Sequence, residues 1–422
     1  MKRSITPMIA ILMIAFFESI GSGLIIPLLP TLVSRAVGET NSLQSVFYGL
    51  VVASSLVMMF LFSAFFGRLS DRYGRRPVIL STLVGVIMAY GAMSVAESLW
   101  ILLLAQAMVG FCAASASVGR AYVAEITSPD KRAQAYAYIG GVGALGLIIG
   151  PVVGGHLGRV NLQFPFYVAA GLTLLTLVFA FFALAESMDP DDRRPFSWRA
   201  VMPFASIAIL SKSPPLARGV VIASLIEAFA LGVASENGAL ILFMQNSLNW
   251  EMTQVGLWLT LMGISTALGA AIMTPLVIRF LGERRAWLMG TIATCMLFAM
   301  AGFIHNAWQM YSLIAGYALL AFVGPVALAL VSRSVPGNQL GEIHGSFISL
   351  SSLIKAIAVV LGTWVYGYFS GPLAPMQLSG AVFFLGAVLQ IPAVAYGFAT
   401  MRKARSELED DSTSVTPQVA VG

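Results

Sequence analysis

The chain has 422 residues, of which 58% are hydrophobic and only 10% are charged, against about 25% charged residues in a typical soluble protein. This composition excludes a soluble enzyme, a secreted disulfide scaffold and a disordered chain, because too little polar surface is present to cover a water-soluble fold. The formal net charge of +5 would suggest nucleic acid as a partner of a soluble protein, so its meaning depends on where the basic residues lie.

Apolar runs of about 20 residues, each long enough to cross a bilayer as a helix, follow one another along the chain. The pattern predicts an all-α membrane protein with twelve transmembrane helices. Their predicted limits are residues 7–32, 45–66, 77–96, 99–125, 134–157, 165–186, 218–245, 253–278, 286–304, 308–332, 343–369 and 376–400.

The basic residues fall almost entirely on one side of these helices. Of the 24 Lys and Arg, only Arg35 and Arg159 lie on the other side, and Arg120 and Lys355 lie inside helices. Because loops rich in Lys and Arg stay in the cytoplasm, the pattern predicts a multi-pass protein of the inner (plasma) membrane with both termini cytoplasmic. The positive net charge is then explained by the basic cytoplasmic loops of a membrane protein, and we expect no nucleic acid partner.

The chain divides into two similar halves. We predict a six-helix bundle over residues 1–186, a cytoplasmic linker with an interfacial segment over 187–217, a second six-helix bundle over 218–400 and a disordered cytoplasmic tail over 401–422. Gly74 recurs as Gly282 at an offset of 208, and Glu18 recurs as Glu227 at an offset of 209. Two pseudo-symmetric halves with a binding site at the midplane between them are typical of secondary transporters.

Three segments carry a resemblance to a known family. Residues 67–77, GRLSDRYGRRP, resemble the signature loop between helices two and three of the major facilitator superfamily. Residues 146–155, GLIIGPVVGG, resemble the motif that marks its antiporters, and residues 18–30, ESIGSGLIIPLLP, resemble the first helix of the tetracycline/proton antiporters and their drug-exporting relatives. The resemblance covers nearly the whole chain.

The resemblance implies roles for two sets of residues. In the loop, Asp71 is expected at the N-terminus of helix eleven and Arg75 beside Glu125, so that the halves are locked closed on the cytoplasmic side. The alternative is that these charges only set topology. The lock residues are Gly67, Asp71, Gly74, Arg75, Arg76 and Glu125. The antiporter motif consists of Gly146, Gly150, Pro151, Gly154 and Gly155, whose glycines allow a neighbouring helix to approach closely.

Other positions depart from the family pattern. The arginine expected in helix four falls at Gln106, and the acidic residues that tetracycline antiporters carry in helices three and nine would align near Ala89 and Thr294. The resemblance therefore supports a proton-coupled exporter more strongly than it supports tetracycline as the substrate.

Away from the ends of the predicted helices, five Glu, Lys and Arg residues lie within the membrane: Glu18, Arg120, Glu227, Glu236 and Lys355. A charge at the bilayer centre costs about 2.5 to 3.5 kcal/mol, so such groups pair, become neutral or face a wet cavity. We predict that Glu18 and Glu227, both near the midplane, couple transport to protons. Glu236 is half a helical turn out of phase with Glu227, which we favour as the cavity member.

Candidate substrate-cavity residues are Lys355, Glu236, Arg120 and Gln106. Structural ion pairs are the alternative for Glu18, Glu227 and Lys355, and snorkelling to the membrane surface is the alternative for Arg120.

The sequence thus predicts a proton-coupled antiporter that exports a small amphiphilic drug or drug-like molecule by alternating access. We expect it to be a monomer in the lipid bilayer, driven by the proton gradient without a cofactor or metal, and not an enzyme. One alternative is export of a carboxylate-bearing siderophore or metabolite, because Lys355 needs an anionic partner. The other is a solute/proton symporter of the same fold.

Overall fold

The computed structural model of the protein describes residues 6–38, 43–113, 116–128, 131–189, 191, 193, 205–234, 238–335, 337–371, 374 and 376–414. Over these residues the regular structure is helical, apart from turns. The α-helices are α1 (Thr6–Ile25), α2 (Leu29–Val37), α3 (Gln44–Tyr73), α4 (Arg75–Ser94), α5 (Leu99–Ala113), α6 (Ala116–Ile126), α7 (Arg132–Val160), α8 (Phe164–Ala183), α9 (Ala205–Lys212), α10 (Pro215–Val233), α11 (Ala239–Leu242), α12 (Met252–Ala301), α13 (Ala307–Leu320), α14 (Val323–Ser334), α15 (Gly337–Ser370) and α16 (Ala381–Ser414). A π-helical segment, Phe243–Ser247, follows α11.

The number of membrane-crossing helices differs from the prediction in its details. Eleven helical segments of the described chain are long and apolar enough to cross a membrane, whereas the sequence predicts twelve. The predicted eighth and ninth helices lie in the 50-residue α12, which bends at Gly282 with φ 71° and ψ 160°. Because a single glycine with positive φ separates the two arms of α12 without a longer polar turn, the two predicted helices form one continuous segment, and the count is eleven rather than the predicted twelve.

The segments outside the predicted bundles contain two further helical features. α16 continues past residue 401 to Ser414, and residues 415–422 lie outside the described residues, so the disordered tail stays a prediction. Residues 401–410 are rich in Ala, Leu, Glu, Arg and Lys, which favour helix, and this accounts for the extension. In the predicted interfacial segment, α9 packs on α15 and buries Leu210, so part of its apolar surface has a protein partner.

The helices run alternately between two ends of the bundle. We call the end that holds Gly74, Gly282 and Arg402 the basic end, and the end that holds Gly38 and Asn161 the opposite end. The first half comprises α1 to α8 and the second half α10 to α16. The most extensive packing between the halves joins α3 to α15 and α7 to α12.

The contacts between α7 and α12 are close from the opposite end to the middle of the bundle. A methyl group on Gly256 of α12 would overlap the backbone of Pro151. Further along the same seam, Thr260 donates a hydrogen bond to the Ile148 carbonyl at 2.6 Å. At the opposite end itself, Gln245 Nε2 donates to the Pro27 carbonyl of the first half at 2.9 Å. These contacts close the opposite end.

The same seam separates toward the basic end. On α7, helical spacing places Ala144 and Gly141 on the face that continues from Ile148, and both are exposed. On α12, Ala267 and Ala271 continue the contact face and are also exposed. The bundle is therefore closed at its opposite end and open between the halves at its basic end.

Candidate functional site

The signature loop at the basic end forms a compact ionic cluster. Arg75 is buried, and its guanidinium donates to Asp71 at 2.8 Å and to Glu125 at 3.1 Å. It also donates to the hydroxyl of Ser70, one residue before Asp71. The structure thus brings together Asp71 at the end of α3, Arg75 at the start of α4 and Glu125 at the end of α6, which ties three helices of the first half to one another.

Glu186, which the sequence analysis did not single out, completes this cluster. Its carboxylate accepts hydrogen bonds from the backbone N–H groups of Arg75 at 2.8 Å and Arg76 at 3.2 Å, at the N-terminus of α4. Helix N-termini carry unpaired N–H groups and a partial positive charge, and α4 has no acidic residue in its first turn. Gly74, at φ 99°, makes the turn between α3 and α4 and leaves room for Glu186, since a methyl group there would overlap that carboxylate.

The remaining loop residues lie around the cluster. Arg76 donates to the Phe181 carbonyl at 2.6 Å and stacks over the Phe181 ring, whereas Gly67 faces open space. The side chains at the start of α15, 336–342, lie outside the described residues. The contact of Asp71 with the N-terminus of that helix therefore stays a prediction.

The second half contains a counterpart of the cluster with reversed charges. Glu283 pairs with Arg333 at 3.0 Å. Both residues lie 208 positions after Arg75 and Glu125, and Glu283 follows Gly282 as Arg75 follows Gly74. In each half, the pair joins the start of a helix to the end of a neighbouring one, but the acidic and basic members are exchanged.

The antiporter motif lies where α7 crosses a helix of each half. Gly146, Gly150 and Gly154 face α1, and a methyl group on Gly150 would stand 2.6 Å from the Cα of Gly23. Pro151 and Gly155 face α12 in the other half. The glycines thus permit the close approach that the sequence predicts, and the motif contributes to closure of the opposite end.

Glu18 lies on α1 in the interior of the first half. It is half-buried and within electrostatic range of Tyr90 on α4 and Cys112 on α5. Ser22, one turn further along α1, is exposed. Glu18 and Ser22 form a polar strip on α1. Gly21, which contacts Tyr90, lies on one side of this strip, and Gly23, which contacts α7, lies on the other side. Since a carboxyl and a hydroxyl group facing lipid would be costly, the strip borders the space between the halves.

Lys355 is exposed on α15 although it lies in the middle of a spanning helix. Ile357 and Trp364 form the exposed apolar face of α15, and Lys355 is about 200° and 180° around the helix from them. It therefore faces inward, beside Gly232 of α10. Within the described part of the chain, Lys355 forms no ion pair.

Glu227 has different surroundings from Glu18. It is 8% exposed on α10, where it lies beside Gln390 of α16 rather than on an open polar strip. The structure therefore does not bring the two glutamates together, and their matched positions in the sequence lead to unequal environments. Glu236 lies outside the described residues.

The remaining positions that the sequence singles out lie in different environments. Gln106 is half-buried on α5, and Arg120 is exposed on α6, where its backbone carbonyl accepts a hydrogen bond from Tyr136 at 3.3 Å. Ala89 is fully buried, and Thr294 is buried with its hydroxyl bonded to the Gly290 carbonyl. Neither of these last two residues stands on an open face.

Comparison with known proteins gives consistent relatives. The sequence profile of the Major Facilitator Superfamily matches residues 11–235 and, a second time, residues 228–415. The chain is 31% identical over 402 residues to the class C tetracycline resistance protein of Escherichia coli, covering 94% of this chain and 98% of that protein. It is 30% identical over 396 residues to the class G tetracycline resistance protein of Vibrio anguillarum, covering 92% and 97%.

Solved structures share the architecture. The human organic anion transporter MFSD10 (TETRAN) matches with a TM-score of 0.69 at 21% identity, covering 93% of this chain and 99% of that one. The POT family transporter PepTSo matches with a TM-score of 0.76 at 14% identity, covering 95% and 98%. At these identities the likeness concerns the fold alone.

Proposed function

Because this chain belongs to the major facilitator superfamily, and is thus a membrane transporter and not an enzyme, we propose that it exports a small amphiphilic, drug-like molecule in exchange for protons. The observation that carries the proposal is its similarity to tetracycline resistance proteins over nearly the full length of both chains. The half-buried carboxyl group of Glu18 beside the opening between the halves adds a chemical reason.

The proposal includes an orientation. Loops rich in Lys and Arg remain cytoplasmic, so the basic end faces the cytoplasm and the opposite end faces outward. In this proposed orientation the opening between α7 and α12 faces the cytoplasm, and we assign this arrangement to the state that takes up cargo. The outward-open state requires closure at the basic end and separation of the contacts around Gly155 and Gly256.

Proton coupling follows from the environments of Glu18 and Glu227. A carboxyl group away from water is more stable when neutral, and contact with water or a cation favours its charged form. We assign Glu18 to the proton exchange that accompanies cargo binding, because it borders the opening. Glu227 exchanges its proton within the second half. Neither Ala89 nor Thr294 is acidic, so tetracycline itself is not proposed as the cargo.

The ionic cluster at the basic end acts on the balance between states. Asp71, Arg75, Glu125 and Glu186 hold the ends of four chain segments together within the first half. We propose that this rigid group docks on the start of α15 when the basic end closes, which stabilises the outward-open state.

A second candidate cargo is supported by Lys355. Its ammonium group faces inward and has no carboxylate partner in the described residues. A cargo that carries a carboxylate would supply that partner, so acidic or zwitterionic molecules are the alternative to purely cationic ones.

The experiment uses purified protein in proteoliposomes with an imposed proton gradient and a panel of amphiphilic compounds. Glu18→Gln and Glu227→Gln should express normally and reduce substrate-driven proton movement at least tenfold, because neither amide titrates. Glu97→Gln, an exposed glutamate between α4 and α5, is the matched control and should behave as the unmodified protein. Full activity in both glutamine variants would contradict the assignment of these residues, and absence of exchange for every compound would contradict the function.

A further inference from the structure

A glutamine in the second half is buried beside a carboxyl group. Gln390 of α16 is 0% exposed, and neither of its amide atoms makes a well-aligned hydrogen bond to a described group, although the amide lies within interaction range of the Glu227 carboxyl. The hydroxyl of Ser224 on α10 is likewise buried without a partner. Thr274 and Trp287 of α12 each hold another such atom, but Ser224 and Gln390 lie on two helices that pack on each other. Native proteins pair nearly all such atoms, so these two groups on facing helices point to a function that uses them.

These groups surround the buried carboxyl of Glu227. Ser224 precedes Glu227 by one helical turn on α10, and Gln390 lies beside Glu227 from α16. The packing of α10 on α16 places Glu227 and Gln390 at the same height in the bundle. Gly219 contacts Thr400 toward the basic end, and Gly386 contacts Ala230 toward the opposite end. Glu227 and Gln390 fall between these contacts.

We propose that Gln390 is the positioning residue for proton exchange at Glu227. A carboxamide both donates and accepts hydrogen bonds. Its N–H group is available to a charged Glu227, and its oxygen is available to the O–H of a neutral Glu227, so a rotation of the amide satisfies either state. The proton comes from water and returns to water, and Ser224 offers a further hydroxyl on the same side. This inference rests on the proposed role of Glu227 in coupling.

The proposal places the second proton site inside the second half, between α10 and α16, and separates it from the polar strip at Glu18. Proton exchange at Glu227 then acts through the packing of α10 rather than through contact with the cargo. Lys355 is the exception to this separation, since the aliphatic part of its side chain lies against Gly232 of α10, the helix that carries Glu227.

Few other charged groups face Glu227. The helices packed on α10 are α14, α15 and α16. Among the described side chains of these helices, Lys355 is the cation nearest the middle, and Tyr396 is about 240° around α16 from Gln390. The other described charged or titratable side chains of α10, α14, α15 and α16 lie toward the two ends of the bundle: Arg218, Arg333, Tyr366, Tyr368, Arg402 and Lys403. The side chains of Glu342, His344 and residues 404–414 lie outside the described residues.

The test is the pH profile of substrate-driven proton exchange in proteoliposomes. Gln390→Leu removes both amide atoms at similar volume, and Gln390→Asn keeps an amide. We expect the leucine variant to move the midpoint by about one pH unit toward alkaline pH, since a carboxylate without a donor holds its proton to higher pH. Gln390→Asn should restore the midpoint at least halfway, and Ser224→Ala should move it in the same direction by less.

Controls separate this inference from the proposed function. Thr291→Val removes a buried hydroxyl that is bonded within its own helix, and it should leave the midpoint unchanged. If Gln390→Leu does not fold, Gln390→Met gives the same measurement with an unbranched side chain. An unchanged midpoint in the folded variant, together with loss of coupling in Glu227→Gln, overturns the inference while the function stands. Normal coupling in Glu227→Gln overturns the role of Glu227 and the inference with it.

Discussion

Lys355 shows how strongly the meaning of one charge depends on which face of a helix it occupies. The sequence places it within α15 but cannot say whether it faces lipid, a carboxylate or water. The exposed apolar side chains of Ile357 and Trp364 mark the outer face, and Lys355 lies opposite to them. An exposed ammonium group on the inner face stays hydrated and available to an anionic group.

Lys355→Ala should therefore impair export of acidic compounds by at least fivefold and leave export of hydrophobic cations within twofold of the unmodified protein. The measurement is transport of paired compounds that differ only in a carboxylate. Ile357→Ala, on the lipid-facing side of the same helix, is the control and should affect both classes equally. Equal loss of both classes in Lys355→Ala would assign this residue to the structure of α15 and leave cations as the cargo.

Individual residues also show where sequence information ends. The pair of Arg75 with Glu125 could be predicted, because a recognisable loop implies it. Glu186 could not, since it reaches the N-terminus of α4 only after the chain has crossed the membrane several times, with 111 positions between Arg75 and Glu186. The absence of an acid from the first turn of α4 was the available signal. Gln390 gives no periodic signal, because one polar residue in an apolar run looks the same whether it faces lipid, water or a carboxyl group.

At the scale of the helix, hydropathy identifies spans reliably but does not locate their interruptions. The apolar run at residues 7–32 predicts one helix, yet α1 ends at Ile25 and α2 begins at Leu29, around Pro27. Proline removes a backbone donor and interrupts the helical hydrogen bonds, so the break has a local cause that average hydropathy ignores. Gly282 is the reverse case, because the polar residues around it suggest a loop, whereas only this one non-helical residue separates the two arms of α12.

The crossing of α1 and α7 yields a prediction at this scale. Gly150→Ala should lower the thermal stability of the purified protein by several degrees and reduce its yield, because the new methyl group would stand 2.6 Å from the Cα of Gly23 and must push the helices apart. Gly171→Ala on α8, where no atom lies within 4 Å, should have no effect or a small stabilising one, since alanine favours helix by about 1 kcal/mol over glycine. Equal melting temperatures for the two variants would show that this crossing is not tightly constrained.

At the scale of the whole molecule, the two halves meet tightly at one end and separate at the other. The sequence predicts the halves, since the repeated glycines and glutamates are visible in it. It does not predict which end is closed, because both states use the same apolar and small residues along α7 and α12. That choice depends on contacts such as Thr260 with Ile148, which form only when the seam is assembled.

Cysteine labelling tests the balance between these states. In a background without Cys112 and Cys295, Ala144→Cys should react with a membrane-impermeant maleimide from the cytoplasmic side. Asp71→Asn should raise the labelling rate at least twofold, because the cluster then loses a charge that stabilises the closed basic end. Val160→Cys, exposed at the opposite end, reports any general change in accessibility. Unchanged labelling from both sides in Asp71→Asn would mean that the loop charges serve topology alone.

The reversed pairs at the basic end bear on how the two halves came to differ. Internal repeats of this kind are the expected product of a duplicated ancestral segment. Exchanging the members of such an ion pair one at a time passes through two like charges, which repel each other, or through an uncharged pair. Both halves have an attachment between two helix ends, whereas the sign of the charge at each matched position differs. A chain assembled from two copies of either half would keep both ion pairs. The acidic and basic members would then stand at the same positions in both halves, whereas in this chain they are exchanged.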